Sequence, residues 1–198
     1  MLDRVRGVPG HRLGAAAYLD EFWPYFDRLG GGTLWKLERA QSFQEPDVPS
    51  WVAMIGGGWE RALALVEEMR PTVHSDPGQD LRRLRIVDKP VTPYLQWEMQ
   101  ILKIRVEAGE KIRVLPVESV AHLESAAELP EVVILGGLTM YEVLYDDAGI
   151  LAGGRRIDDQ SVLDACRAQL AELYDKGENL LSYFEREIAP LPPPTVAT

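Results

Sequence analysis

Apolar and polar positions recur with a readable period through most of the chain, most clearly between Leu81 and Glu118. LRRLRIV ends in the β-branched, apolar run of a buried strand, and Asp88-Lys89-Pro90 stops it. Thr92-Pro93 then predicts a helix start, with a capping hydroxyl followed by proline at the first helical position. Tyr94, Trp97, Ile101 and Ile104 form one stripe, and Leu95, Met99, Leu102 and Val106 a neighbouring one. So broad an apolar face belongs to a helix set inside the core. Gly109 suits a left-handed cap, and Lys111 to Leu115 resumes as a strand. Strand, crossover helix and strand at this spacing predict a parallel, right-handed βαβ unit.

Downstream, Glu131–Leu135, Met140–Tyr145 and Ile150–Ile157 read as three strands of an antiparallel meander, turning at Gly136-Gly137 and Asp147-Ala148-Gly149. Asp158-Asp159 predicts the cap of a long final helix, whose buried stripe is Val162, Cys166, Leu170 and Leu173, then Leu181 and Phe184. Upstream, Tyr18, Phe22, Tyr25 and Phe26 mark a short helix that Pro24 ends or kinks. Trp59, Ala62, Leu63, Val66 and Met69 mark another, ending before Pro71. Thr33–Phe43 fits a strand or a helical turn, and Thr72–Asp80 is loop chemistry. The expected organisation is an N-terminal arm and short helix over 1–32, with residues 1–14 mobile. A single α/β domain with a mixed sheet follows over 33–187, then a flexible Pro-rich tail over 188–198.

Composition narrows the function classes. The 198 residues are 46% hydrophobic and 26% charged, enough for a core without disulfide or metal staples. A net charge of −10 argues against direct nucleic-acid binding and against docking on an anionic membrane. One cysteine excludes an internal disulfide and any multi-cysteine metal site. Without a signal-like or membrane-spanning apolar run, a cytoplasmic location is expected.

Candidate chemistry is sparse. His11, His74 and His122 are not spaced as a metal pair, and Cys166 falls on a buried stripe with no base beside it. Gly30-Gly31-Gly32 lacks the Gly-Lys-Ser/Thr of a phosphate loop and reads as a joint. Asp146, Asp147, Asp158 and Asp159 suit a turn and a cap better than a hard-cation site. No cofactor, metal site or catalytic residue is expected. Arg82, Arg83, Arg85 and Lys89, with Lys103, Arg105, Lys111 and Arg113, form a basic strip that is either solvated or recognises an anion. Glu98 sits among apolar neighbours and needs a cation, with Arg83, Arg85 and Arg39 the nearest by topology.

The stretches LWKLERAQSF, LRRLRIVDKPVTPYLQWEMQILKIRVEAGEKIRVLP and MYEVLYDDAGILAGGRRIDD resemble the actinobacterial domain of unknown function 6879, from about Leu34 to Tyr183. Pro90, Tyr94, Glu98, Ala108, Gly109 and Glu110 carry the motif. The resemblance implies a phospholipase D-like layout, but the His-x-Lys-x₄-Asp motif of that chemistry is absent, so the activity does not follow. It also hints at a regulatory role, since members are often encoded beside small helix-turn-helix regulators.

Two functions remain. One is a non-catalytic interaction or regulatory protein with a protein partner, using the basic strip and the tryptophan-rich first half. The other is a small-molecule-binding protein or enzyme of specialised metabolism, with a site made of Tyr94, Trp97 and Glu98 and the arginines Arg83, Arg85 and Arg39. A homodimer is left open. An enclosed cavity holding buried ionisable groups favours the second, and a flat apolar patch the first.

Overall fold

The computed structural model describes residues 1–73 and 80–196. Its elements follow in the order β1 (His11–Gly14), α1 (Ala15–Asp27), β2 (Thr33–Glu38), α2 (Pro49–Ile55), α3 (Trp59–Met69), β3 (Asp80–Val87) and α4 (Pro93–Glu107). After these come β4 (Lys111–Pro116), β5 (Val132–Leu135), β6 (Thr139–Tyr145), β7 (Leu151–Ile157), α5 (Gln160–Lys176), β8 (Glu178–Asn179) and α6 (Leu180–Tyr183). The strands build one eight-stranded mixed sheet in the order β1-β7-β6-β5-β2-β3-β4-β8. Among the described residues no helix is long and apolar enough to cross a membrane.

The βαβ unit stands as its pattern requires. β3 pairs parallel with β4, Arg83 opposite Ile112 and Arg85 opposite Val114, and the crossover is α4. Thr92 Oγ1 accepts the Leu95 N–H at 3.1 Å, a cap that contributes about 1 kcal/mol. Gly109 closes the helix with φ of 110°, where a side chain would be strained. The meander is also present: β5, β6 and β7 pair antiparallel in sequence. β2 joins the two halves, parallel to β3 and antiparallel to β5, which resolves Thr33–Glu38 as a strand.

Strand alternation sorts the side chains onto two faces. Trp35, Leu37, Leu84, Ile86, Val132 and Ile134 pack against the Val162, Cys166, Leu170 and Leu173 stripe of α5. Burial pushes the Cys166 thiol up to about 11. On the opposite face, Leu95, Met99 and Leu102 of α4 cover Val87, Ile112 and Val114. On that same face Tyr18 of α1 sits on Val133, Leu135 and Tyr141. α2 and α3 pack behind α4 through Trp51, Met54, Ala62 and Val66, which meet Tyr94, Trp97 and Ile104.

Several expectations are corrected. Residues 1–14 are not a mobile arm. Leu2 and Val5 lie in a 3₁₀ turn with no exposure, and the Leu2 N–H donates to Gln169 Oε1 at 2.8 Å. β1 then adds to the sheet edge against β7. Pro24 neither ends nor splits α1. Asp159 alone caps α5, accepting from the N–H groups of Ser161 and Val162, whereas Asp158 pairs with Arg156 at 3.0 Å. The closing helix is not continuous. It stops at Gly177, β8 pairs with β4, and α6 leads into a π-helical turn over Phe184–Ile188. The tail is held in part, since Gln96 donates to the Pro192 carbonyl at 2.8 Å and Val196 packs against the cluster that α2, α3 and α4 share. α2 carries no signal strong enough to have been expected. The loop over Thr72–Asp80, with His74, falls mostly outside the described residues.

Gly154 fixes how α1 meets the sheet. A Cβ there would lie 2.6 Å from Cδ2 of the buried Tyr18 ring. Gly154→Ala is therefore expected to displace α1 and lower stability by about 1–3 kcal/mol, read by thermal unfolding and by the near-ultraviolet signal of Tyr18. An unchanged variant would mean that α1 is not seated on β7 in this way.

Candidate functional site

Neither α1 nor α4 covers the centre of the sheet, and the gap between them is a cavity of about 510 Å³. That volume lies within the range of small-molecule sites. Its wall is α1, with Tyr18, Phe22 and Phe26 on the inner side and the half-exposed Trp23 at the edge, and its apolar floor includes Leu34, Val133 and Val143. The helix presents Tyr18, Phe22 and Phe26 together because they recur at four-residue steps. Phe22 and Phe26 stack with ring centroids 5.9 Å apart.

The rest of the floor is ionic. Alternation along β2 and β3 aims Lys36, Glu38, Arg83 and Arg85 to this same face. Arg83 donates through Nη1 to both Glu38 oxygens at 2.8 and 2.9 Å, and through Nε to Glu110 at 2.7 Å. Lys36 Nζ meets Glu38 at 2.7 Å. Burial opposes ionisation of Glu38, but Arg83, Lys36 and Arg85 overcome it and hold its carboxyl well below the usual range. Arg105, from the last turn of α4, reaches the same floor.

Glu131 closes the far side. Its Oε1 accepts the Arg39 and Ala40 N–H groups at 2.7 and 2.6 Å, and the residue lines both the main cavity and a neighbouring one of about 270 Å³. Burial raises its carboxyl to about 7, against the pull of Arg85 and the two amides. A group with this pKa can hold or release a proton near neutrality. Nothing local in the sequence marked Glu131, which read only as the first residue of a strand.

The residues expected from sequence are partly brought together. Tyr94, Trp97, Glu98 and Arg83 line a smaller cavity of about 240 Å³, and its lining shares Lys36, Arg83, Arg105 and Tyr145 with the main one. Trp97 is buried and donates to Ser50 at 3.2 Å, while the Tyr94 hydroxyl donates to Glu45 at 3.4 Å. Glu98 finds its cation in Arg85, Nε to Oε2 at 2.8 Å, and that guanidinium is wholly buried. Burial pushes the Glu98 carboxyl up even so, with Arg85 opposing and Glu38 assisting. Arg39 is not a partner of Glu98, because it bonds Glu124 at 2.7 and 3.0 Å and approaches Glu128 at 3.3 Å. The basic strip does not form one surface. Arg82, Lys111 and Asp80 pair at the start of β3, Arg113 lies over Tyr174, and Arg83 and Arg85 are on the opposite face.

No match to the chain was found among curated proteins. Residues 20–185 match the model of a protein family described as Domain of unknown function (DUF6879), a span that begins within α1, after Tyr18, and takes in the sheet centre and α4. The chain belongs to that family.

Proposed function

We propose that this protein binds an amphipathic small molecule in the groove between α1 and α4. The carrying observation is the cavity of about 510 Å³ that joins an aromatic wall to a floor of buried, paired charges. A ligand's apolar body would displace water from Phe22, Trp23 and Phe26, at about 25 cal/mol per Å² of apolar surface removed from water. The ionic floor would fix its orientation. Its ion pairs already hold Lys36, Glu38, Arg83 and Glu110 in place, so little ordering is left to binding.

The βαβ unit, the meander and the closing helix support a phospholipase D-like layout, and the chain has no His-x-Lys motif to carry that chemistry. No reaction is assigned to the groove. A second reading, a regulatory protein with a protein partner, draws support from Leu19 and Trp23, which are 43% and 55% exposed on α1.

Titration with the neutral dye Nile red tests the groove. One site per chain is expected, weakened about tenfold or more by combined Phe22→Ala and Trp23→Ala, which removes two rings of the wall. Binding that ignores both substitutions would move the ligand site elsewhere and leave the exposed face of α1 to a protein partner.

A further inference from the structure

We propose that the groove holds a hydrophobic monocarboxylate, with its carboxylate on Arg105 and its apolar body between α1 and the sheet. This presumes that the groove is a ligand site, and it names what that site selects. The argument comes from how the charges on the floor are matched. Arg83 is committed by bonds to Glu38 and Glu110, and Lys36 is paired with Glu38. Arg105 is different. Among the described residues its guanidinium makes no hydrogen bond, and its one ion pair there is a 3.7 Å approach to Glu110 Oε2. Glu110 already takes the Arg83 Nε through its other oxygen.

Burial and the neighbouring Arg83 charge both push the Arg105 pKa down, and Glu110 and Glu38 only partly offset them. A guanidinium in that position gains from a planar anion, which it can receive through two parallel N–H donors. Its side chain is 42% exposed, so a ligand can reach it. Arg105 lines both cavities. A carboxylate there leaves the rest of the molecule free to lie along Leu34 and Val133 toward Phe22 and Phe26. The acidic groups nearby do not ask for a ligand cation in return. Glu98 is matched by Arg85, Glu45 takes the Tyr94 hydroxyl, and Glu131 Oε1 takes two backbone amides.

The test compares three matched probes on the full chain by calorimetry: phenylbutyrate, its neutral amide and phenylbutylamine. The acid is expected to bind about tenfold tighter than the amide, and Arg105→Gln should abolish that preference. An unfolding midpoint matching the parent's reports that the variant is folded. Equal binding of acid and amide, or tightest binding of the amine, would overturn the carboxylate assignment and leave the groove standing. Failure of all three probes to bind, together with no Nile red site, would remove the groove as well.

Discussion

Replacing Glu98 by glutamine is expected to lower the unfolding free energy by about 3–5 kcal/mol: although burial works against the Glu98 charge itself, the fully buried Arg85 charge that it sustains is left unmatched. The side chain of Arg85 has no exposure, and its Nε bond to Glu98 at 2.8 Å is the direct match for its charge. Among the described residues, the only other hydrogen bond of that side chain is a 3.3 Å contact from Nη1 to the Ile86 carbonyl. With the carboxylate gone, the guanidinium stays in the core without a direct counter-ion, and the tie from β3 to α4 across that face weakens. Urea unfolding measures the loss. Combined replacement by apolar residues of similar volume, Glu98→Leu with Arg85→Met, is expected to recover most of it, because neither charge is then buried. A loss below about 1 kcal/mol for Glu98→Gln would contradict the pair as a structural tie. If ligand binding were abolished at the same time, Glu98 would become a binding residue instead.

Glu131→Gln is expected to have the opposite sign. The Glu131 carboxyl titrates at about 7 in the fold against an ordinary value of 4.5. Between those values the folded chain binds more protons than the unfolded one, so stability falls as pH rises through the window. The penalty is absent below about 4.5 and fully present above about 7, where it amounts to about 3 kcal/mol. Around Glu131 stand Arg85 from β3, Glu38 from β2, the Arg39 and Ala40 amides, and Tyr145 of β6. Glutamine keeps an oxygen for the two amides and carries no charge. The variant should match the parent near pH 4.5 and be more stable at pH 8. A difference that does not change with pH would contradict the raised titration of Glu131.

How much of this was legible in the sequence depended on whether the signal was local. The βαβ unit was read correctly because its strand, cap, stripe and glycine stop lie within one continuous segment, Leu81 to Leu115. The Glu98 ion pair was legible because a carboxylate among Leu95, Trp97, Ile101 and Leu102 demands a partner, and the neighbouring strand offered Arg83 and Arg85. The burial of Leu2 and Val5 was not, since isolated apolar residues among arginines and glycines acquire a place only when α5, more than 150 residues on, supplies Gln169. The groove escaped for the same reason. Tyr18, Phe22 and Phe26 announced a helix face, but what that face overlooks is decided by β2 standing between β5 and β3. Arg39 was misplaced because it lies just past the end of β2, where strand alternation no longer fixes its direction.

The most direct test of the groove as the ligand site is nuclear Overhauser contact mapping of the full chain with bound phenylbutyrate. The expected result is contact from the ligand's ring protons to the Phe22, Trp23 and Phe26 rings and to the Leu34, Val133 and Val143 methyl groups, on both sides of the cavity. Contacts confined to another part of the surface, with none to α1 or to the centre of the sheet, would contradict it.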